Sequence, residues 1–377
     1  MNKKIWLSLA HMSGNEQKYI QEAFDTNWVV PLGPNVNEFE KSLSDYLGEN
    51  KKVVALVSGT SAIHLALIQL GIGVGDEVIC QSFTFAASAN PIKYVGASPV
   101  FVDSERETWN MNPVFLEEAI KDRISKTGKT PKAIIPVHLY GMPAKMDEIL
   151  AIANKHKIPI IEDAAEALGS EYKGQKCGTF GEFACLSFNG NKMITTSGGG
   201  ALVCNNEVDA KKTMFYATQA RDDAPHYQHS EIGYNYRMSN ICAGIGRGQM
   251  TVLDSHVLHR QRIHSLYREK LFGLKGLSLL ENPSEEYNSN HWLTCVLIEP
   301  SEAGFTRENL RLAMDAANIE TRPLWKPMHM QPVYNDVPFY GDGTSEKLFE
   351  SGLCLPSSPI LTEDDLQRII QVINQMY

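Results

Sequence analysis

Short, nearly continuous apolar runs alternate with helical patterns over the first two hundred residues of the chain. Such runs are typical of strands that are covered on both faces, as in a parallel sheet flanked by helices. Residues 61–70 and 145–156, which lie between runs, have apolar residues at helical spacing. The pattern therefore predicts an α/β fold with a mostly parallel central sheet. The seven predicted strands are residues 53–57, 77–81, 99–103, 133–137, 158–162, 184–188 and 200–204.

From about residue 209 the pattern becomes helical. Residues 239–268 predict one long helix, bent near its glycines, that leads into a smaller α+β domain. In that domain we expect a strand at 291–298 and helices at 306–317 and 363–375. A chain of 377 residues is long enough for one large and one smaller domain. We therefore predict a large domain over residues 1–250 and a small C-terminal domain over residues 251–377.

The charge, the cysteine pattern and the N-terminal sequence argue against several classes of protein. A formal net charge of −9 disfavours a general nucleic-acid or anionic-membrane partner. Since no two of the seven cysteines have CxxC spacing, the sequence indicates neither a disulfide framework nor a metal site. The apolar patch at residues 5–10 is shorter than the core of a signal peptide, and no stretch approaches membrane-spanning length. We expect a cytoplasmic location.

Hydroxyl, aromatic and acidic residues follow several predicted strands, at the edge where open α/β sheets bind ligands. Residues 58–61 (SGTS) open a helix, where free N–H groups make an anion site, although plain helix capping explains the same residues equally well. Phe85 follows the second strand and by itself is more typical of a core residue. Asp163 follows the strand at 158–162, where it either caps a helix or meets a cation inside a site.

Lys192 follows the sixth strand, in a segment that also contains Ser187 and Asn189 and runs into the glycines at 198–200. This setting is poor for a surface lysine and suits an amine aimed at a bound carbonyl while backbone approaches closely. One molecule would explain the whole edge if it had a phosphate, a flat ring, a protonated ring nitrogen and a carbonyl. Pyridoxal 5'-phosphate has all four features.

Six motifs, some of which contain the residues discussed above, carry a resemblance that spans nearly the whole chain. They lie at residues 31–34 (PLGP), 58–62 (SGTSA), 162–165 (EDAA), 187–192 (SFNGNK), 233–239 (GYNYRMS) and 321–325 (TRPLW). Together they resemble the DegT/DnrJ/StrS family of pyridoxal-phosphate nucleotide-sugar aminotransferases, which have the aspartate aminotransferase fold (fold type I). Residues 187–200, 226–229 and 322–329 most resemble the branch that aminates C4 of UDP-linked 4-keto-6-deoxy sugars in bacillosamine and exopolysaccharide pathways.

The resemblance implies a role for each matching residue. Lys192 is the lysine that forms the Schiff base with the cofactor, and Asp163 pairs with the pyridine nitrogen. Asn235 is expected to reach the phosphate in the neighbouring subunit, so that a homodimer shares its two sites. The remaining implied cofactor-binding residues are Thr60, Ser61 and Ser187 at the phosphate, Phe85 on the ring, and Ala165, Glu166 and Asn189. Glu166 departs from the glutamine or histidine of many members.

The resemblance also implies L-glutamate as the amino donor, with 2-oxoglutarate released, and a nucleotide-linked keto-sugar as the acceptor. Both substrates are anionic, and arginine suits their carboxylates and phosphates. Arg237 and His329 are the favoured substrate residues because they lie in matched motifs. Tyr140 and Trp325 are candidates to flank the sugar, with core packing an equal alternative. Arg322 is a further basic candidate, whereas a surface or interdomain salt bridge is the better interpretation of Arg221 and Lys326.

Four other functions are alternatives to this interpretation. A relative that aminates C3 of a dTDP- or GDP-linked sugar would share the same motifs. Sugar dehydratases of this type carry histidine at the lysine position, so Lys192 disfavours them. A non-catalytic regulator that senses the cofactor or a sugar is disfavoured because Lys192, Asp163 and Ser187 occur together. A Rossmann dehydrogenase is excluded since no GxGxxG follows the first strand.

Overall fold

The computed structural model describes residues 3–48 and 50–377, so Met1, Asn2 and Glu49 of the predicted large domain lie outside the described residues. All seven strands predicted for the central sheet are present. The strands are β1 (Lys52–Leu56), β2 (Glu77–Gln81), β3 (Ser98–Val102), β4 (Ala133–Ile135), β5 (Ile161–Asp163), β6 (Glu171–Tyr172), β7 (Gln175–Lys176), β8 (Phe183–Ser187), β9 (Gly200–Cys204), β10 (Leu277–Leu279), β11 (Tyr287–Asn288), β12 (Thr294–Ile298), β13 (Arg322–Pro323), β14 (Phe339–Tyr340) and β15 (Gly352–Leu355).

The central sheet consists of two hydrogen-bonded halves. Their strand orders are β1-β9-β8-β5 and β4-β2-β3-β14, and the bridges Ile134–Ile160 and Val137–Asp163 join β5 to β4 in parallel. Only β9 runs antiparallel to its neighbours, so the sheet is mostly parallel as predicted. The sequence did not predict β14, a two-residue strand from the C-terminal part that extends the edge beside β3.

Helices cover both faces of this sheet, as its buried strands require. The helices are α1 (Glu16–Asp25), α2 (Pro34–Leu47), α3 (Gly59–Gln69), α4 (Ala86–Tyr94), α5 (Pro113–Thr127), α6 (Met146–His156), α7 (Glu207–Ala217), α8 (Asn240–Met250), α9 (Leu253–Lys270), α10 (Pro300–Ala303), α11 (Arg307–Ala316), α12 (Thr344–Ser351) and α13 (Glu363–Asn374). No helix within the described ranges combines the length and the apolar character needed to cross a bilayer.

The single long helix predicted over 239–268 is wrong, because the chain forms α8 and α9 with a break between them. Val252 has φ −124° and ψ 5°, which interrupts the helical hydrogen-bond ladder after Met250. The glycines do not make the bend. Gly246 and Gly248 lie within α8, where an added Cβ would approach Phe39 of α2 and Glu16 of α1 within 3 Å. They permit close helix packing instead.

A second sheet of antiparallel strands, in the order β10-β12-β15-β13, makes the predicted α+β part. β12, α11 and α13 match the expected strand and helices within three residues. Thr306 caps α11 and Thr362 caps α13, each with a reciprocal bond from the third helical residue. A boundary near residue 250 stays a prediction, since β14 from the C-terminal part joins the first sheet.

Candidate active site

A cavity of about 580 Å³ lies at the carboxyl ends of β1, β5 and β8. Its volume is within the range of small-molecule sites, which usually lie at this edge of an α/β sheet. Thr60, Phe85, Asp163 and Lys192 all line it. The other predicted cofactor residues on its wall are Ala165, Glu166, Ser187 and Asn189. The tertiary fold therefore brings together residues that are more than a hundred positions apart in the sequence.

The N-terminus of α3 supplies an anion site on one wall. Ser58 caps the helix, because its Oγ accepts from the Ser61 N–H at 3.1 Å and lies 2.7 Å from the Ser61 Oγ. Within the described chain, the N–H groups of Gly59 and Thr60 have no hydrogen-bond partner. Capping and anion binding are therefore compatible here, since Ser58 caps the Ser61 N–H while two other amides stay open to a phosphate.

The close approach of β9 shapes this anion site. A Cβ built on Gly200 would lie 2.3 Å from the backbone nitrogen of Gly59 and from the carbonyl carbon of Ser58. Only glycine allows two backbone segments to come this near. The glycine at the end of the sequence run thus lets β9 pack directly against the start of α3.

Asp163 presents a fixed carboxylate to the cavity. Its Oδ2 accepts from the Ser88 hydroxyl at 2.5 Å and its Oδ1 from the Ala165 N–H at 3.1 Å. Only 5% of the residue is exposed, and no cation of residues 3–48 or 50–377 forms an ion pair with it. A buried carboxylate without a cationic partner favours a ligand that carries positive charge.

Lys192 lies between an acid and an aromatic ring. Its Nζ is 3.0 Å from Glu166 Oε1 and 4.3 Å from the centre of the Trp292 ring. The other Glu166 oxygen accepts from the Tyr140 N–H at 2.8 Å, at a backbone position with φ +55°. Burial raises the pKa of Glu166, and the nearby Lys192 charge opposes that rise. The acid thus holds the amine in place by an ion pair within the wall of the cavity.

These groups fit pyridoxal phosphate on structural grounds. The open amides of α3 and Ser187 suit its phosphate, the unpaired Asp163 carboxylate suits a protonated ring nitrogen, and Lys192 suits its carbonyl. Phe85 is 56% exposed and lies at the cavity, where its ring can contact a flat ligand.

Comparison with known proteins agrees with this geometry. The family model described as the DegT/DnrJ/EryC1/StrS aminotransferase family matches residues 10–374. The chain belongs to this family. It is therefore a pyridoxal phosphate-dependent nucleotide-sugar aminotransferase with the predicted fold.

Relatives within the family match over nearly the whole chain. EpsN of Bacillus subtilis, provisionally named a pyridoxal phosphate-dependent aminotransferase, is 50% identical and aligns over 100% of this chain and 97% of its own. A GDP-perosamine synthase of Caulobacter vibrioides is 39% identical, over 99% of this chain and 98% of its own. The crystal structure of a DegT DnrJ EryC1 StrS aminotransferase from Brucella abortus superposes with a TM-score of 0.89 at 33% identity, covering 96% and 95% of the two chains.

Two basic residues predicted at the substrate lie outside the cavity wall. The Arg237 guanidinium is 7% exposed, forms an ion pair with Glu40 and donates to the Ala55 carbonyl. His329 lies between the Ser82 hydroxyl at 2.7 Å and Glu346 at 3.1 Å. The polar atoms of both residues are therefore engaged by the protein itself, and their roles at the substrate stay predictions.

Of the other predicted site residues, some line the cavity and others lie behind its wall or outside it. Trp325 lines the cavity, whereas Tyr140 is 1% exposed and its hydroxyl accepts from the Trp325 N–H at 2.9 Å, so it supports the wall from behind. Ser61 does not line the cavity; its N–H donates to the Oγ of the capping residue Ser58, and its hydroxyl donates to the Ser58 carbonyl at 2.9 Å. Asn235 is exposed, with its Oδ1 accepting from Gln219 Nε2 at 3.1 Å, and lies apart from this chain's own cavity.

Several wall residues had no predicted role. Ser8 and Trp292 both line the cavity and both donate to the Asn191 carbonyl, at 3.0 and 2.7 Å. Arg322, which had been considered only as one of several bases, also lines the cavity beside Glu320. Trp292 begins an apolar run that reads as an ordinary strand, and Ser8 lies in the N-terminal arm, so the sequence carries no local signal for either.

Proposed function

We propose that the protein transfers the amino group of L-glutamate to C4 of a UDP-linked 4-keto-6-deoxy sugar. The observation that carries the proposal is the position of Lys192 Nζ in a cavity that also holds an anion site and the Asp163 carboxylate. The sugar class is supported by the likeness of residues 187–200, 226–229 and 322–329 to that branch of the family. The GDP-perosamine synthase relative makes GDP the competing nucleotide.

The protein's own residues would move protons at defined atoms. Pyridoxal phosphate, when bound, supplies a carbonyl for the amine and a ring that accepts electrons. Asp163, fixed by Ser88 and Ala165, would keep a proton on the ring nitrogen. Lys192 Nζ would take the proton from the α-carbon of glutamate and later deliver a proton to C4 of the sugar. Glu166, at 3.0 Å, would hold that amine toward the cavity.

The mouth of the cavity suits a sugar nucleotide. The Phe85 and Trp325 rings contact each other, with centres 5.4 Å apart, and form an apolar part of the wall against which a sugar ring would lie. The Arg322 side chain is 68% exposed and its guanidinium is 2.7 Å from Glu320. A guanidinium in this position would meet the diphosphate or the donor carboxylate through its fork of N–H groups. Arg322 therefore takes the part first given to Arg237.

We also propose that two copies share their sites. Asn235 is exposed and does not line its own cavity, which suits a residue that acts in a neighbouring subunit. Mixed dimers of Lys192→Ala and Asn235→Ala chains should regain one intact site and about half of the activity expected for two sites per dimer. Mixtures that stay as inactive as the parent variants would refute the shared site.

The deciding experiment is turnover with nitrogen-15 glutamate across UDP-, GDP- and dTDP-linked 4-keto and 3-keto sugars. The label should reach C4 of the UDP sugar fastest, and a preference for GDP would replace the nucleotide while keeping the reaction. Lys192→Ala should lose at least about 10³-fold in turnover. Lys41→Ala, on an exposed ion pair with Asp45, is the matched control and should keep full activity. Full activity in Lys192→Ala would end the proposal.

A further inference from the structure

Arg260 of α9 is a buried cation without a countercharge. It is 1% exposed, and no carboxylate among residues 3–48 and 50–377 forms an ion pair with it. Its acceptors are neutral: the carbonyls of Trp292 and Ser357 at 2.5 and 2.8 Å and the Ser8 hydroxyl at 3.1 Å. Burial accordingly lowers its pKa to about 9. Because an unpaired buried charge is costly, its retention calls for a role beyond filling space.

Two hydrogen-bonded paths lead from this guanidinium to one carbonyl. Arg260 Nη2 donates to the Ser8 Oγ, which in turn donates to the Asn191 carbonyl at 3.0 Å. Arg260 Nη1 binds the Trp292 carbonyl, and the Trp292 indole N–H donates to the same Asn191 oxygen at 2.7 Å. The residues involved are up to 252 positions apart, so this convergence is a property of the tertiary structure.

The carbonyl at which the paths meet belongs to the peptide bond of Lys192. Holding that oxygen from two directions sets the orientation of the peptide from which the Lys192 side chain starts. The tip of the side chain is held by the same network, since Nζ lies 4.3 Å above the Trp292 ring. The backbone and the amine of Lys192 are thus both connected to Arg260 through this network, while Glu166 restrains the amine from another side.

We propose that Arg260 is the positioning residue for Lys192 and acts through Ser8 and Trp292, a role that rests on the proposed function of that lysine. Arginine suits the task because its rigid fork can bind several acceptors at once. The Arg260 charge strengthens its hydrogen bonds to neutral acceptors in a site sheltered from water. Each member of the network should therefore affect how freely the amine moves.

The test is labelling of Lys192 in the full-length protein after the cofactor has been removed. Reductive methylation followed by peptide mass spectrometry gives the labelling of Lys192 relative to the exposed Lys41. Ser8→Ala and Trp292→Phe each remove one bond to the Asn191 carbonyl, and the phenyl ring still lies beneath the amine. Either change should raise the ratio about fivefold, the effect expected for one hydrogen bond. Arg260→Lys should raise it at least as much.

Ser358→Ala is the matched control. The Ser358 hydroxyl donates to the Leu9 carbonyl at 3.0 Å, so it holds the same N-terminal arm without reaching Asn191. This variant should keep the wild-type ratio. An unchanged ratio in the Ser8→Ala/Trp292→Phe double variant would overturn the proposal, and so would an equal rise in Ser358→Ala. If a variant of a buried residue fails to fold, the labelling ratio of Ser8→Ala alone is the deciding measurement.

A kinetic comparison of the variants after pyridoxal phosphate has been added back separates positioning from general destabilisation. Ser8→Ala should lower kcat about fivefold and leave the KM for L-glutamate unchanged, because an aligned amine matters only during proton transfer. An unchanged kcat together with an unchanged labelling ratio would refute the role. Failure of the proposed function would give a different result. If amine transfer did not need Lys192, the variants would still show the expected rise in the labelling ratio, because labelling is measured without substrate.

Discussion

The pair formed by Lys192 and Glu166 should control how the stability of the cofactor-free protein depends on pH. Lys192→Met removes the ammonium group 3.0 Å from a carboxylate that is 4% exposed. Breaking a buried pair in this way typically costs about 3–5 kcal/mol. The Tyr140 N–H would still donate to the other carboxylate oxygen. Because this donor is neutral, the carboxylate would be left without a positive neighbour.

The sign of the pH effect follows from Glu166. Burial raises its pKa above the usual 4.5, and Lys192→Met removes the opposing charge, so the pKa should rise further. Between 4.5 and the raised value the native state binds more protons than the unfolded chain, and stability therefore falls as pH increases through that window. Each additional unit makes the penalty at high pH larger by about 1.4 kcal/mol.

Urea unfolding at about pH 5 and about pH 8, at one protein concentration, measures this effect. Relative to the wild type, Lys192→Met should lose more stability at the higher pH. The Lys192→Met/Glu166→Gln variant should recover most of the loss and remove the added pH dependence. Lys41→Met, on an exposed pair, should barely move the midpoint. Equal penalties at both pH values, or no recovery in the double variant, would refute the reasoning.

Two further predictions test the anion site and the role of Arg237. Gly200→Ala forces a Cβ against Gly59 and should weaken binding of pyridoxal phosphate about 5- to 100-fold in a visible-absorbance titration, whereas Gly190→Ala, with open space around it, should not. Arg237→Met leaves Glu40 unpaired and should lower the free energy of unfolding, measured in urea, by about 3–5 kcal/mol. The KM for both substrates should stay within about twofold of the wild-type value. A large rise in KM would instead support the predicted substrate role of Arg237.

The sequence predicted every strand of the central sheet except β14, because the signals for these strands are local. A buried strand is apolar in a short window, and a helix start is marked by one hydroxyl and the residues that follow it. The predicted site residues on the wall all follow strands or start helices, so knowing the elements was enough to place Thr60, Asp163 and Lys192 at one edge. The break after Met250 was missed because glycines that bend one helix can serve close packing in another.

The partners of the polar side chains could not be read in the same way. Arg237 and His329 lie in matching motifs, yet each bonds to groups brought close only by the fold, with Glu40 and Arg237 197 positions apart. Arg322 was not among the favoured bases, and only the structure placed it on the wall of the cavity.

Local patterning by itself thus determined the fold class and predicted the edge at which a ligand binds and the lysine that acts there. Only the tertiary structure decided which charges are already paired and what holds that lysine. The physical reason is that periodicity and capping depend on neighbours within a few residues, whereas hydrogen bonds such as Arg260 to Ser8 join groups 252 positions apart. Their geometry exists only once the sheet, the N-terminal arm and α9 have packed together.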